Sequence, residues 1–211
     1  MTEHFWQSLR SSIRRCAMAY ESPTHDFENE EIRISETDVL TVSVAGSNDV
    51  WDWLQNLNLD QTQIGKWKVS EGVLNAAKNV IAMVDCYRSE FPKSYTKPLR
   101  FEGHSKGGAV AIACGMLSTI RHNEVQKVTT FASPRISTTR IIYPFSCDQI
   151  IAKGDPVPHA PIWLPFRRWR HNGRTIKIGR QTTANIGREW FGFFGRSIKR
   201  HLVDNYLKIL E

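Results

Sequence analysis

Apolar residues recur at helical spacing in residues 2–20, where Phe5, Leu9, Ile13 and Met18 are interleaved with Arg10, Arg14 and Arg15. That spacing predicts an amphipathic helix. Residues 30–35 alternate apolar and polar positions, as a half-buried strand does. Residues 39–46 are β-branched and mostly apolar, which predicts a more central strand ending at Gly46. A short helix is expected over 50–57. Ser70 stands where it can cap a long helix over 71–91, whose apolar face is Val73, Ala77, Val80, Ile81, Val84 and Tyr87 and which Pro92 closes. Residues 98–105 read as a short strand running into a turn, and 106–120 as an apolar helix of small residues. Strands are expected over 125–133, 147–153 and 174–179, and a last helix over 195–210. Strands alternating with helices predict an α/β fold, a mostly parallel central sheet with helices on both faces.

The length, 211 residues, suits one hydrophobic core. A single domain over 1–211 is expected, with the N-terminal helix packed against it. The formal net charge of +7 suits an anionic partner, either nucleic acid or an anionic lipid surface, and equally suits a solvated basic face. Cys16, Cys86, Cys114 and Cys147 lie far apart without a C-x-x-C pair, which argues against a zinc or redox site; no metal and no cofactor is expected. Cys86 and Cys114 fall in apolar helical patterns, where a thiol acts as a small core residue. Neither a secretory signal nor an apolar stretch long enough for a bilayer is visible. The expected location is cytoplasmic, or outside the cell by export without a classical signal peptide.

The segment Gly103-His104-Ser105-Lys106-Gly107 contains G-x-S-x-G. By composition alone a chain of this length contains that pattern in roughly one case in fifteen. Its setting is more specific, because a predicted strand precedes it and a predicted helix follows. Serine on a sharp, strained turn at that junction projects its hydroxyl toward a substrate. Gly103 and Gly107 remove side chains that would collide across the turn. Gly107, Gly108, Ala109, Ala111 and Ala113 let the helix approach the sheet. The N–H of Lys106, at the helix N-terminus, is placed to donate to a developing oxyanion.

The elbow GHSKGGA resembles the GHSLGGA of the class 3 (fungal-type) lipases, and the resemblance continues in order along the chain. VSVAGSNDVWDWLQNL is similar to that family's strand ending in R-G-T or R-G-S, then D-W and Asn-Leu. WKVSEGVLNAA is similar to its V-H-x-G-F helix start, FASPRI to F-G-S-P-R, KGDPVPHAP to its N-D-P-V-P acid loop, and WRHNGRTIKI to its Tyr-x-His-x-Gly strand. The matches span roughly residues 38 to 206. The resemblance implies the α/β-hydrolase fold and ester hydrolysis through an acyl-enzyme on Ser105.

A serine hydroxyl needs a histidine base held by a carboxylate, and in this fold the order is Ser, Asp or Glu, then His. Asp155 follows a predicted strand in a proline-stiffened loop. On its own it reads as a turn aspartate, and the resemblance implies that it is the acid. His201, the last histidine, lies in an H-x-x-x-x-Y setting similar to the family's base; His159 and His171 are its rivals. The resemblance places Ser47 as a second oxyanion donor beside Lys106, and makes Asp52 and Trp53 structural. Three departures stand out: Ala45 replaces the family's arginine, Ser70 its histidine, and Lys106 the leucine after the nucleophile.

The implied substrate is an acylglycerol or related lipid ester. Residues 161–170 are both aromatic and basic, with Trp163 and Leu164 as candidate substrate contacts. The cluster Arg167, Arg168 and Arg170 beside Trp163 and Trp169 suits peripheral contact with an anionic membrane surface, and equally a loop whose aromatics pack inward. A short cover over the site has room only within 48–63. No nucleic-acid recognition fold accompanies the charge, so no nucleic-acid partner is expected. Two other readings stay open: a phospholipase A1 acting on anionic phospholipid, and a non-catalytic binding protein of the same fold.

Overall fold

The computed structural model describes residues 2–28, 30–47, 60–161, 169–179 and 198–211, with side chains from 203 onward in the last segment. The chain runs α1 (Glu3–Glu21), β1 (His25–Phe27), β2 (Glu30–Glu36), β3 (Leu40–Val44), β4 (Gln61–Ile64), β5 (Trp67–Ser70) and α2 (Glu71–Glu90). It continues through β6 (Leu99–His104), α3 (Lys106–Ile120), β7 (Val125–Phe131), β8 (Ser146–Ala152), β9 (Arg174–Ile178) and α4 (Ile198–Leu210). Seven strands form one sheet in the order β1-β2-β3-β6-β7-β8-β9. The β1–β2 and β2–β3 pairs are antiparallel, and the four pairs from β3 to β9 are parallel. The interior strand β3 is buried at all five positions, the polar Thr41 and Ser43 included, as in a strand covered on both faces.

Two apolar layers sandwich the sheet. On one face α2 and α3 bury Val73, Ala77, Val80 and Val84 against Val42, Phe101 and Val128. On the other, α1 and α4 bury Leu9, Ile13 and Tyr206 against Phe131, Ile150 and Ile176. The mostly parallel sheet with helices on both faces is thus observed. So are α2 and α3, and at α3 the helical boundaries coincide with the expected ones.

Several expectations are corrected. Met18 is 40% exposed; the inward stripe of α1 is Leu9, Ile13, Cys16 and Ala19, with Phe5 partly buried against the same layer, and Met18 falls beside that stripe. Cys86 is exposed, since it lies off the face of α2 that meets the sheet, whereas Cys16, Cys114 and Cys147 are buried and all four are free thiols. Ser70 occupies the N-cap position of α2, but its side chain makes no capping bond to the helix. The hairpin β4–β5 was not anticipated. The helix expected over 50–57 lies outside the described residues. Among the described residues no helix is long and apolar enough to cross a membrane.

Candidate active site

Ser105 sits between the carboxyl end of β6 and the first residue of α3, with φ 54° and ψ −126°. A non-glycine residue rarely adopts this conformation, and holding it costs about 1–3 kcal/mol. The surroundings enforce it. A Cβ at Gly103 would stand 2.1 Å from the Gly107 carbonyl oxygen, and one at Gly107 would stand 2.3 Å from the Val44 oxygen. The absence of both side chains lets α3 press against β3 and β6. The Ser105 N–H donates to the Phe131 carbonyl at 2.9 Å, and its own carbonyl accepts from Gly108 at 3.0 Å. The Ser105 hydroxyl is buried and finds no partner among the described residues.

The loop after β3 approaches the elbow closely. A Cβ at Gly46 would meet the His104 carbonyl at 2.9 Å and Ser105 Cβ at 3.0 Å. Ser47 therefore follows a residue that closely approaches Ser105, and Lys106 is the first residue of α3. His104 is buried behind the elbow, with Nδ1 2.8 Å from the Tyr20 hydroxyl. Burial pushes its pKa down to about 3, so it is neutral in ordinary conditions.

Asp155 lies just past the carboxyl end of β8, two strands from β6, on the same edge of the sheet as Ser105. Its carboxylate is almost fully buried. Oδ1 accepts from the Val157 N–H at 2.9 Å and Oδ2 from the Tyr206 hydroxyl at 2.9 Å. Burial raises the carboxyl pKa to about 6, against the lowering effect of those two donors. Tyr206 is fully buried on α4, and its oxygen also accepts the Ala152 N–H at 2.8 Å. The Tyr206 ring lies 6.0 Å from those of His104 and Phe131. One tyrosine thus joins the elbow, the sheet and the acid loop, a role that the H-x-x-x-x-Y pattern contained without revealing.

His201 belongs to α4, five residues before Tyr206 and so about 7.5 Å earlier along the helix axis. Its side chain lies outside the described residues. Among the described residues neither rival histidine is hydrogen-bonded to the Asp155 carboxylate. His159 is exposed, with Nδ1 3.4 Å from an Arg135 nitrogen, and His171 Nε2 bonds the Pro158 carbonyl at 2.6 Å. Asp52, Trp53, Trp163, Leu164, Arg167 and Arg168 also lie outside the described residues. Trp169 is 5% exposed, so this ring packs inward and not at a lipid surface. Among the described residues no group of three metal-ligating side chains is gathered.

The sequence reading missed Glu30. The Lys106 side chain turns away from solvent and pairs with Glu30 Oε1 at 2.5 Å, both groups being about 5% exposed. It also missed Glu102, buried on β6, which accepts from Arg15 at 2.8 and 2.6 Å and from Ser12 at 2.6 Å and so ties α1 to the strand that leads into Ser105.

The family model described as Lipase (class 3) matches residues 41–164. A search of curated protein sequences finds no match. Among solved structures, Rhizomucor miehei triacylglyceride lipase is similar with TM-score 0.66 and 16% identity, covering 84% of this chain and 82% of that one. A lipase from Rhizopus microsporus var. chinensis is similar with TM-score 0.65 and 18% identity, covering 86% and 77%. The Lip2 lipase of Yarrowia lipolytica gives 0.60 and 14%, covering 85% and 80%. At these identities the structural likeness establishes the fold, the α/β-hydrolase fold.

Proposed function

The chain belongs to the class 3 lipase family and is a serine hydrolase, and we propose that it cleaves carboxylic esters of acylglycerols or related lipids through an acyl-enzyme on Ser105. The observation that carries the assignment of the nucleophile is the backbone of Ser105, held at φ 54° between a buried strand and a small-residue helix. In this reading His201 takes the Ser105 proton as the hydroxyl oxygen attacks the ester carbonyl. The Ser47 and Lys106 N–H groups receive the oxyanion. The alcohol leaves with the proton returned by His201, and water then repeats the sequence to free the acid. Asp155 holds the imidazole in the required tautomer and stabilises the imidazolium. Its own position is supported by Val157 and Tyr206.

The similar Rhizomucor miehei enzyme, a triacylglyceride lipase, suggests triacylglycerol as the substrate class. The net charge of +7 favours, as a second reading, anionic phospholipid cleaved at an acyl ester, with peripheral contact at an anionic lipid surface. A purely binding protein of this fold would have no need of a strained serine on the elbow. Fluorophosphonate labelling tests the assignment: wild-type protein is expected to be labelled and Ser105→Ala not. Esters of rising chain length, and then phospholipids, decide between the substrate readings. Equal labelling of both proteins would overturn the role of Ser105.

A further inference from the structure

Lys106 is the one large side chain in the first turn of α3, which continues as Gly107, Gly108 and Ala109. It does not reach solvent. Its ammonium lies 2.5 Å from Glu30 Oε1, and the two side chains are 6% and 5% exposed. The partners come from separate parts of the sheet. Glu30 opens β2, Lys106 follows the end of β6, and β3 lies between those strands. Neighbouring strands stand about 4.8 Å apart, so the pair joins elements about 10 Å apart across the end of β3.

The segment that leaves β3 there is Ala45-Gly46-Ser47, and it is enclosed from both sides. On the β2 side, Ile32 pairs with Val44, and the Ala45 N–H donates to the Glu31 carbonyl at 3.0 Å. On the α3 side, a Cβ at Gly107 would stand 2.3 Å from the Val44 oxygen and 2.4 Å from the Ala45 oxygen. The Glu30–Lys106 pair closes this bracket from β2 to α3. A charge-assisted bond in a site of low dielectric has a sharp preferred geometry, because displacement leaves two buried charges poorly paired. An apolar side chain at 106 would impose no such direction.

We propose that Glu30 is a positioning residue for ester cleavage. By holding Lys106 toward β2, it fixes the Lys106 N–H relative to the Ser47 segment, so that both donors meet one oxyanion. This rests on the reading of Ser105, Ser47 and Lys106 given under the proposed function. Glu30 acts through Lys106 and does not itself contact the ester. The ammonium is compensated by Glu30, which leaves the backbone N–H of Lys106 to serve the oxyanion. The donors are needed most in the tetrahedral state, so their displacement lowers rate more than substrate affinity.

The test compares wild type, Glu30→Ala and Glu30→Asp as full chains, each checked for folding by denaturant unfolding. Two readouts are taken: kinetics on a soluble short-chain ester, and inhibition by an alkyl trifluoromethyl ketone. In the proposed site, Ser105 Oγ adds to the ketone carbonyl carbon, the serine proton passes to His201, and the carbonyl oxygen becomes an oxyanion. The inhibition constant Ki therefore reports on the donors. Glu30→Ala is expected to lower kcat about 10- to 100-fold with KM within about threefold of wild type, and to raise Ki by the factor lost in kcat/KM. Glu30→Asp keeps the charge, and with it the fold, but shortens the tether by about 1.5 Å. It is expected to lower kcat and raise Ki in the same proportion to each other, by a smaller factor, and it decides the question where Glu30→Ala does not fold. Val80→Ala, in the apolar layer of α2, is the control for destabilisation alone. It is expected to lose stability and keep kcat and Ki. Folded Glu30→Ala with kcat and Ki within about twofold of wild type, or with a raised KM alone, overturns the role of Glu30 and leaves that of Ser105 untouched. Wild type that cleaves no ester and is not inhibited by the ketone overturns the reading of Ser105 and this one with it.

Discussion

The ammonium of Lys106 and the carboxylate of Glu30 meet at 2.5 Å in a nearly solvent-free position, one residue from Ser105. The pair links the first turn of α3 to the start of β2, at the edge of the sheet where Ser105 and Asp155 lie. Burial pushes the Glu30 carboxyl up while Lys106 pulls it back down, and Glu30 Oε2 has no partner among the described residues. Removing one partner of a buried pair typically costs about 3–5 kcal/mol, while replacing both by apolar groups is often close to neutral. Lys106→Leu, which restores the residue of the GHSLGGA pattern, is therefore expected to lose stability by about that amount. Lys106→Leu combined with Glu30→Leu is expected to recover most of it. Denaturant unfolding of the three proteins checks this; an unchanged single variant would show that the pair contributes nothing.

The backbone of Ser105 makes a separate prediction about stability. Its φ of 54° lies where glycine is unstrained. Ser105→Gly is expected to abolish hydrolysis, with kcat falling on the order of a million-fold, while stability rises by about 1 kcal/mol. An inactive protein with a higher Tm than wild type is the expected result. A lower Tm would mean that the elbow stores no strain.

For the base, His201→Ala is expected to be nearly as damaging as loss of Ser105, because a triad acts as a unit. His159→Ala and His171→Ala are expected to keep kcat within about tenfold of wild type, since neither ring bonds Asp155. Steady-state kinetics on a soluble short-chain ester separates these outcomes. A dead His171→Ala with an active His201→Ala would reverse the assignment.

How much of this was legible in the sequence depends on the range of the interaction. Helix α3 was read to the residue because its small side chains and flanking glycines are a local signal. The mostly parallel sheet was legible from strands alternating with helices, whereas the order of strands across it was not, because pairing joins residues far apart in the chain. The hairpin at 61–70 was not read, because Q-T-Q-I and W-K-V-S are too short and too polar for alternation to stand out. Met18 and Cys86 were placed inside because spacing gives a stripe but not which part of it meets the sheet. Glu30, Glu102 and Tyr206 act across 76, 87 and 51 residues of chain, toward Lys106, Arg15 and Asp155. No local pattern encodes such contacts.

Tyr206 offers a test of the acid that leaves the triad residues intact. Its hydroxyl is one of two donors that favour the ionised form of Asp155 against burial. Tyr206→Phe removes that donor, so the Asp155 pKa is expected to rise above about 6. The acid limb of the activity profile then moves to higher pH, because the ionised carboxylate is the form that supports the imidazolium. The same change leaves the Ala152 N–H and Asp155 Oδ2 without this partner, at an expected stability cost of about 1–3 kcal/mol. A pH profile of kcat/KM that superimposes on wild type would overturn the proposed support role.

His104 makes the last prediction, and it concerns stability against pH. Burial holds its folded pKa at about 3, below the ordinary value of 6.5. Between those values the unfolded chain takes up a proton that the folded protein refuses, so this residue removes stability as pH falls from 6.5 toward 3. The slope is about 1.4 kcal/mol per pH unit for one proton. Asp155 acts in the opposite direction. Its folded pKa of about 6 exceeds the ordinary 3.8, so the folded protein holds a proton that the unfolded chain releases, and stability falls as pH rises through that window. From pH 3.8 to 6 the two groups offset each other. His104→Gln keeps a side chain that can bond Tyr20 but removes the titration. Its stability is therefore expected to fall less steeply toward acid than that of wild type, by about one proton's slope in that window. Denaturant unfolding at pH 4, 5, 6 and 7 measures the difference, and parallel curves for the two proteins would show that His104 takes up its proton in the folded state as readily as in the unfolded chain.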